Sequence, residues 1–137
     1  MSQQQAIQLV QSYYAAFNAG DMQTFADLLT DDVIHDINQG ARETGKAAFH
    51  AFMQKMNGAY RERLSDISIL ANADGSRASA EFVVHGQYLR TDEGLPPARG
   101  QKYRLSAGAF FDIRDGRIAR ITNYYNLPDW IAQVSAG

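Results

Sequence analysis

The chain has 137 residues, of which 20% are charged, and a formal net charge of −2 at pH 7. A chain of this length can bury a sizeable core by itself, so we expect one domain over residues 1–137. Because the sequence contains no cysteine, disulfide scaffolds and thiolate metal sites are excluded. The 13 basic residues nearly balance the 15 acidic ones and form no basic run, which argues against nucleic acid as a partner.

The N-terminal segment MSQQQAIQLV lacks the basic flank and the apolar run of a signal peptide. No apolar stretch approaches the ~20 residues that are needed to span a bilayer. We therefore expect no membrane partner and a cytoplasmic location.

The first third of the chain has the periodicity of helices. The first predicted helix carries an apolar stripe at steps of three and four, at Ile7, Val10, Tyr14 and Phe17. Gly20 suits the end of that helix, and Asp21 suits the cap of a shorter one. The shorter helix is predicted to bury Met22, Phe25, Leu28 and Leu29. A third predicted helix follows Thr44-Gly45 and ends at Gly58, with an apolar side made of Ala48, Phe49, Phe52, Met53 and Met56.

From about Tyr60 onward the apolar period changes to two, which is typical of strands. Two runs joined by Asn-Ala-Asp-Gly predict one hairpin, and two later runs joined by Arg114-Asp115-Gly116 predict another. DDVIHDI predicts a short strand before the third helix, with ARETG as a candidate return strand, and PDWIAQV predicts a closing helical turn from Pro128. This order favours an α+β class, with helices on one face of a curved antiparallel sheet and a pocket between them.

Two segments resemble known families. YYAAFNAGDMQTFADLLTDDV is similar to the opening of the ketosteroid isomerase and SnoaL-like polyketide cyclase families, and GLPPARGQKYRLSAGAFFDIRDGRIARITNYYNLPDWIAQV is similar to the SnoaL-like ending. The chain most resembles the ketosteroid isomerase-related subgroup. The resemblance implies a nuclear-transport-factor-2-like cone, with three N-terminal helices on a mostly antiparallel six-stranded sheet. It also implies a homodimer through the outer side of the sheet.

The resemblance carries over only part of the catalytic sets of these families. Tyr13 falls where the isomerase has the tyrosine that donates a hydrogen bond to the developing enolate oxygen. The isomerase base falls on Ile37, and its protonated second acid falls on Ala109. The acid–base residue of the SnoaL-like cyclases falls on Asn126, whose amide cannot shuttle a proton. The sequence therefore predicts a protein that is not a copy of either enzyme.

Alternation divides the strand around residues 78–88 into two rows. The resemblance turns the row of Glu81, Val83, His85 and Gln87 toward the pocket. It turns the apolar row of Ala78, Ala80, Phe82, Val84 and Tyr88 toward the back of the sheet, where that row would form the dimer interface. The catalytic candidates are His35, His85, Tyr13, Glu81 and Asp36. The ligand-binding candidates are Phe17, Phe52, Met53, Met56, Asn123, Tyr125 and Trp130.

Each of these candidates also has a purely structural interpretation. Glu81 and Gln87 suit a face that points to water. Asp36 has the opposite parity to His35, so it points away from the pocket unless the strand bulges. Tyr13 suits the core as well as the pocket. His35, His85 and Glu81 can be drawn as a metal set, but no close-spaced ligand motif supports it, and we expect no metal and no cofactor.

Two hypotheses for function remain open. The first is a cofactor-independent enzyme of isomerase, cyclase or dehydratase type that moves a proton on an apolar carbonyl compound. It would use His35 or His85 as the base and Tyr13 as a hydrogen-bond donor. The second is a non-catalytic domain of the same fold that binds a small molecule or mediates dimerisation, because both isomerase carboxylates are missing in register.

Overall fold

The computed structural model describes residues 1–136. The helices and strands of this part of the chain are, in order, α1 (Gln3–Ala19), α2 (Met22–Asp27), β1 (Leu29–Asp36), β2 (Arg42–Thr44), α3 (Lys46–Ala59), β3 (Tyr60–Ala71), β4 (Arg77–Tyr88), β5 (Lys102–Arg114), β6 (Arg117–Tyr125) and α4 (Leu127–Ser135). No helix within residues 1–136 has the length and hydropathy needed to cross a membrane.

The six strands form one mixed sheet in the order β2-β1-β6-β5-β4-β3. Strands β1 and β6 pair in parallel, and the other neighbours pair antiparallel. Both predicted hairpins are present, as β3–β4 and β5–β6. The predicted α+β class, with helices over a mostly antiparallel six-stranded sheet, is confirmed.

The helix boundaries follow the local signals in the sequence. Ser2 and Gln5 form a capping box at the start of α1, and Gly20 ends that helix at a φ of 69°. The side chain of Asp21 accepts a hydrogen bond from the backbone N–H of Thr24 and caps α2. The assignment of Leu29 to the second helix was wrong, since this residue begins β1.

The apolar row of β4 faces the helices, which reverses the predicted orientation of this strand. Ala78, Ala80, Phe82, Val84 and Tyr88 are all buried in the core. The helices carry apolar sides that must be removed from water, and only this row of β4 matches them. The prediction that the row forms a dimer interface was therefore wrong.

The other row of β4 lies on the outer face of the sheet. Glu81 is exposed there, opposite Ser68 and Gly108. The Nε2 atom of His85 lies 2.8 Å from the hydroxyl oxygen of Ser65. The predicted orientation of Glu81 and His85 toward the pocket was thus wrong.

A β-bulge in β3 changes which residues face inward. Leu64 pairs with Val84, but Ile69 pairs with Ala80, so β3 contains one more residue than β4 over this interval. Asp66, at a φ of 53°, lies in the bulge. Such a bulge bends the strand and shifts its alternation by one residue. As a result, Glu62 lies on the concave side of the sheet.

Candidate functional site

A cavity of about 1270 Å³ lies between the helices and the concave face of the sheet. Its wall is mostly aromatic and aliphatic, which is typical of sites for apolar small molecules. The wall includes Tyr13, His35 and every predicted ligand-binding residue: Phe17, Phe52, Met53, Met56, Asn123, Tyr125 and Trp130. Their position on the wall is observed, and their roles in catalysis or binding remain predictions.

An aromatic cluster around Trp130 of α4 forms one end of the cavity. The Tyr60 ring stacks on Tyr88, with centroids 5.4 Å apart, and Trp130 meets the Tyr88 ring edge-on at 4.9 Å. The hydroxyl of Tyr60 donates a hydrogen bond of 2.8 Å to a carboxylate oxygen of Asp92. The cluster fixes the loop after β4 against the sheet, because the Tyr88 hydroxyl also donates to the Pro96 carbonyl at 2.7 Å.

Glu62 and Tyr103 meet in the same part of the cavity. Glu62 of β3 and Tyr103 of β5 are both cross-strand partners of Gly86 on the intervening β4. The Tyr103 hydroxyl donates a hydrogen bond to the Glu62 carboxylate. A Cβ atom at position 86 would overlap the ring of Tyr103. Glycine at this position therefore makes the hydrogen bond across β4 possible.

The surroundings of Glu62 disfavour its charged form. Many protein atoms surround its carboxyl, although the residue keeps an exposed surface that lines the cavity. Burial raises the pKa of this carboxyl, and the hydrogen bond from Tyr103 offsets part of the rise. Burial, followed by the charge of Glu62, raises the pKa of Tyr103 far above the usual range. Tyr103 therefore keeps its proton and acts as a donor.

Tyr125 of β6 lies within the electrostatic reach of the same group. Its pKa is raised by burial first, and then by the charges of Glu62 and Asp92. Its hydroxyl therefore stays protonated at neutral pH and can donate a hydrogen bond. A titratable carboxyl and two protonated tyrosines thus line the same cavity.

His35 lies on β1, in another part of the cavity wall. Its ring stacks on Phe49 at 4.8 Å and meets Phe52 edge-on at 4.6 Å. The residue is only 4% exposed, and its Nδ1 atom has no hydrogen-bond partner. Burial lowers the pKa of the imidazole, whereas the nearby charges of Glu43 and Asp36 raise it by less. His35 is therefore neutral at pH 7.

The two first-helix tyrosines pack mainly in the core, at the edge of the cavity. The Tyr13 ring stacks on Phe25, with centroids 4.4 Å apart, and burial raises the pKa of its hydroxyl. Tyr14 is also buried, and its hydroxyl oxygen has no hydrogen-bond partner. Both residues also line the cavity. Tyr13 therefore lies partly in the core and partly on the cavity wall, as its two interpretations proposed.

Asp36 does not join His35. Its carboxylate pairs with Arg42 at 2.6 Å and with Arg120 at 2.7 Å. Hydrogen bonds from these two arginines lower its pKa to about 2. His35 pairs with Ile121 on the inner face of β6, and Asp36 pairs with the next residue, Thr122. The assignment of Asp36 as a catalytic residue was therefore wrong in its geometry, because alternation turns it outward.

The cavity wall also contains groups that the sequence analysis did not select, among them Glu62, Tyr103 and Glu43. The sequence did contain a signal that Glu62 faces the cavity: the apolar residues of β3 change from even to odd positions. Tyr60 and Leu64 are apolar at even positions, whereas Ile67 and Ile69 are apolar at odd positions. Such a change indicates a bulge between Leu64 and Ile67. Before the bulge, the even positions from Tyr60 to Leu64 share the inner face, and Glu62 is one of them.

The positions that align with the acids of the related enzymes hold no acidic residue in this chain. Ala109 is fully buried in the core, and the Asn126 side chain accepts a hydrogen bond from the Asp129 backbone N–H as the cap of α4. Within residues 1–136, no three His, Asp or Glu side chains are grouped so that they could hold a metal ion. The expectation of no metal and no cofactor stays a prediction.

Comparison with known proteins gives a family. The family model of the SnoaL-like domain matches residues 10–121. No curated protein sequence gives a significant match. A crystal structure of a provisionally assigned polyketide cyclase from Pseudomonas putida KT2440 is 69% identical, with a TM-score of 0.93. The alignment covers 94% of this chain and 97% of that one.

More distant structures share the same fold. An NTF2-like protein from Burkholderia xenovorans LB400 is 18% identical, with a TM-score of 0.74 and 98% of each chain covered. A provisionally assigned ketosteroid isomerase from Kribbella flavida DSM 17836 is 25% identical, with a TM-score of 0.65, and covers 90% of this chain and 79% of its own. The chain therefore belongs to the SnoaL-like domain family and has the nuclear-transport-factor-2-like fold.

Proposed function

We propose that this protein is a cofactor-independent enzyme that moves a proton on an apolar, carbonyl-bearing small molecule held in the cavity. The observation that carries the proposal is the carboxyl of Glu62, which faces an aromatic cavity and has a raised pKa. A carboxyl with a pKa moved toward neutrality both takes up and returns a proton efficiently near pH 7.

The neighbouring tyrosines complete the proposed site. Tyr103 donates to Glu62 and so holds the carboxylate in one orientation. Tyr125 stays protonated within reach of the charge of the same carboxylate. Where an apolar ligand displaces water from the cavity, a tyrosine O–H stabilises a developing oxyanion more strongly than it does in bulk water.

The proposed step is a proton transfer next to a carbonyl group. An oxygen of the Glu62 carboxylate takes a proton from the carbon adjacent to the carbonyl. The C–H electron pair becomes the carbon–carbon double bond of an enolate, and the negative charge on the oxygen accepts a hydrogen bond from Tyr125. Glu62 then gives a proton back to the substrate carbon; in D₂O its carboxyl first exchanges its hydrogen with solvent, so the substrate receives deuterium. No redox partner or metal is needed for this balance.

The relatives support a small-molecule reaction of this kind in general terms only. A protein that is 69% identical to this chain is provisionally assigned as a polyketide cyclase, and one that is 25% identical is provisionally assigned as a ketosteroid isomerase. Those assignments concern other proteins. In this chain the titratable carboxyl proposed as the base is Glu62 on β3, which is none of the positions where the related enzymes have their acids.

Deuterium exchange into 2-tetralone tests the proposal directly. This aromatic ketone has exchangeable hydrogens beside its carbonyl, and their replacement in D₂O is followed by proton NMR. We expect the protein to accelerate exchange and Glu62→Gln to lower the rate by ~10²–10⁴, as for loss of a general base. Glu81→Gln makes the same chemical change on the outer face and should leave the rate unchanged.

The same experiment separates turnover from simple binding. Binding of 2-tetralone without exchange above the buffer rate would favour the non-catalytic binding domain and contradict the proposal. Equal rates for the wild-type protein and Glu62→Gln would also contradict it, because the carboxyl would then play no part in the transfer.

A further inference from the structure

His35 and Glu43 face each other across the β1–β2 pair at the edge of the sheet. They are directly opposed cross-strand partners, so their side chains leave the same face at short range. Both line the cavity. The charge of Glu43 acts on the imidazole, which is consistent with this proximity. The pair lies on β1 and β2, whereas Glu62 lies on β3 at the opposite edge of the sheet.

Each member of the pair has an unused polar atom. The Nδ1 atom of His35 and the Oε1 atom of Glu43 are buried without a hydrogen-bond partner. Burying such atoms unpaired costs free energy, and in folded proteins most buried polar atoms have a partner. Two unpaired atoms on directly opposed residues of a cavity wall favour a bound ligand as their common partner.

The packing of His35 favours the same interpretation. The ring is oriented by Phe49 and Phe52 and not by a hydrogen bond to Nδ1. The aromatic neighbours supply a flat apolar surface beside the two polar atoms. A ligand that satisfies the pair would therefore have an apolar ring next to its polar group.

We infer that His35 and Glu43 form a subsite for a hydroxyl group on an aromatic ring of the ligand. The hydroxyl donates its hydrogen to the Glu43 carboxylate, and its oxygen accepts a hydrogen bond from the neutral imidazole of His35. One hydroxyl thus satisfies both atoms. A carbonyl oxygen would satisfy His35 alone and leave Glu43 unpaired.

The charges around the cavity exclude a carboxylate as the recognised group. The ionisable side chains on the wall include four carboxylates and two cationic groups, namely Glu43, Glu62, Asp92, Glu93, Lys55 and Arg61. Lys55 is already paired with Asp92, at 3.9 Å. A second carboxylate next to Glu43 would be repelled, whereas a neutral hydroxyl would not.

This inference rests on the proposed use of the cavity for a small molecule, but not on proton transfer by Glu62. Its test is therefore a binding experiment with no turnover. Dissociation constants at pH 7 are measured by fluorescence titration for three probes of the same ring system: 2-naphthol, naphthalene and 2-naphthoate. We expect 2-naphthol to bind roughly tenfold or more tightly than naphthalene, as for a hydrogen bond to a charged group. We expect 2-naphthoate to bind more weakly than naphthalene.

Two variants locate the preference. Glu43→Gln keeps the shape of the side chain, and His35→Phe keeps an aromatic ring between Phe49 and Phe52. Both should bring the affinity for 2-naphthol close to that for naphthalene, while the affinity for naphthalene itself stays unchanged. Glu62→Gln is the matched control at the other edge of the sheet and should keep the preference for the hydroxyl.

Three results would overturn the inference. The first is equal affinity of the wild-type protein for 2-naphthol and naphthalene. The second is an equal loss of both ligands in Glu43→Gln, since the pair would then only shape the wall. The third is loss of the hydroxyl preference in Glu62→Gln alone, which would place the hydroxyl at the other edge. If His35→Phe does not fold, Glu43→Gln on the short strand β2 decides the question.

Discussion

The hydroxyl of Tyr103 donates a hydrogen bond to the carboxylate of Glu62 across an intervening strand. The strand between them contributes Gly86 at this position, so no side chain separates the two groups. The position of the titratable Glu62 carboxyl therefore depends on the close packing of the Tyr103 ring over the backbone of Gly86. This packing also makes the proposed site sensitive to a residue that does not itself line the cavity.

Gly86→Ala should disrupt the Glu62–Tyr103 hydrogen bond. The added methyl group overlaps the Tyr103 ring, which must move away from Glu62. We expect the exchange rate of 2-tetralone to fall to the level of Tyr103→Phe, which lacks the same hydrogen bond. Gly108→Ala is the matched control, because its methyl group would meet only the Ala80 carbonyl oxygen, at 3.3 Å. An unchanged rate in Gly86→Ala would show that the hydrogen bond does not matter for exchange.

Glu62→Gln should stabilise the protein at pH 7. Burial raises the pKa of Glu62 above its ordinary value of 4.5, so the native state binds this proton more tightly than the unfolded chain. The group therefore lowers the free energy of unfolding as the pH rises from about 4.5 through the native pKa. Thermal melts of both proteins should show a higher melting temperature for the variant at pH 7, and a gap that closes as the pH falls below 4.5. A gap of constant size would contradict the raised pKa.

Two neighbouring residues test which face of β4 is buried. Phe82 is 5% exposed and packs under the helices, so Phe82→Ala should lower the free energy of unfolding by ~3–5 kcal/mol. Glu81→Ala, on the exposed outer row, should change it by no more than ~0.5 kcal/mol. Urea denaturation measures both values. The reverse order would restore the orientation first predicted from the sequence.

The protein should form a homodimer through the outer face of the sheet, although not through the row first predicted. Leu70, Phe110 and Tyr124 are 61%, 44% and 47% exposed, and Phe110 meets Tyr124 edge-on at 5.7 Å. Exposed apolar side chains in one patch favour burial against a second copy. Sedimentation at micromolar concentration should give a dimer for the wild-type protein and a monomer for Phe110→Lys. A wild-type monomer would contradict this prediction.

Much of the fold was predictable because its signals are local. Gly20 and Asp21 fix the break between α1 and α2 through a left-handed turn and a side-chain cap. The short turns at residues 72–76 and 114–116 fix two hairpins. The register of His35 and Asp36 followed from simple alternation along β1.

The candidate site was less predictable because it depends on tertiary packing. Alternation alone does not say which row of β4 faces the helices. The apolar row was predicted to face away from them, although the apolar sides of the helices need an apolar surface to pack against. The bulge at Asp66 then shifted the alternation of β3, so Glu62 could be found only by noticing the change of parity. The pairing of His35 with Glu43 depends on β2, a strand of three residues with little periodic signal of its own.

The pH dependence of 2-tetralone exchange tests the central role of Glu62 most directly. The proposed base must lose its proton to act, so the exchange rate should rise with pH through one ionisation. Because burial raises the pKa of Glu62, the midpoint should lie above 4.5, the ordinary value for glutamate, and this ionisation should be absent from the residual activity of Glu62→Gln. A rate that does not change with pH, or the same ionisation persisting in Glu62→Gln, would contradict the assignment of Glu62 as the base.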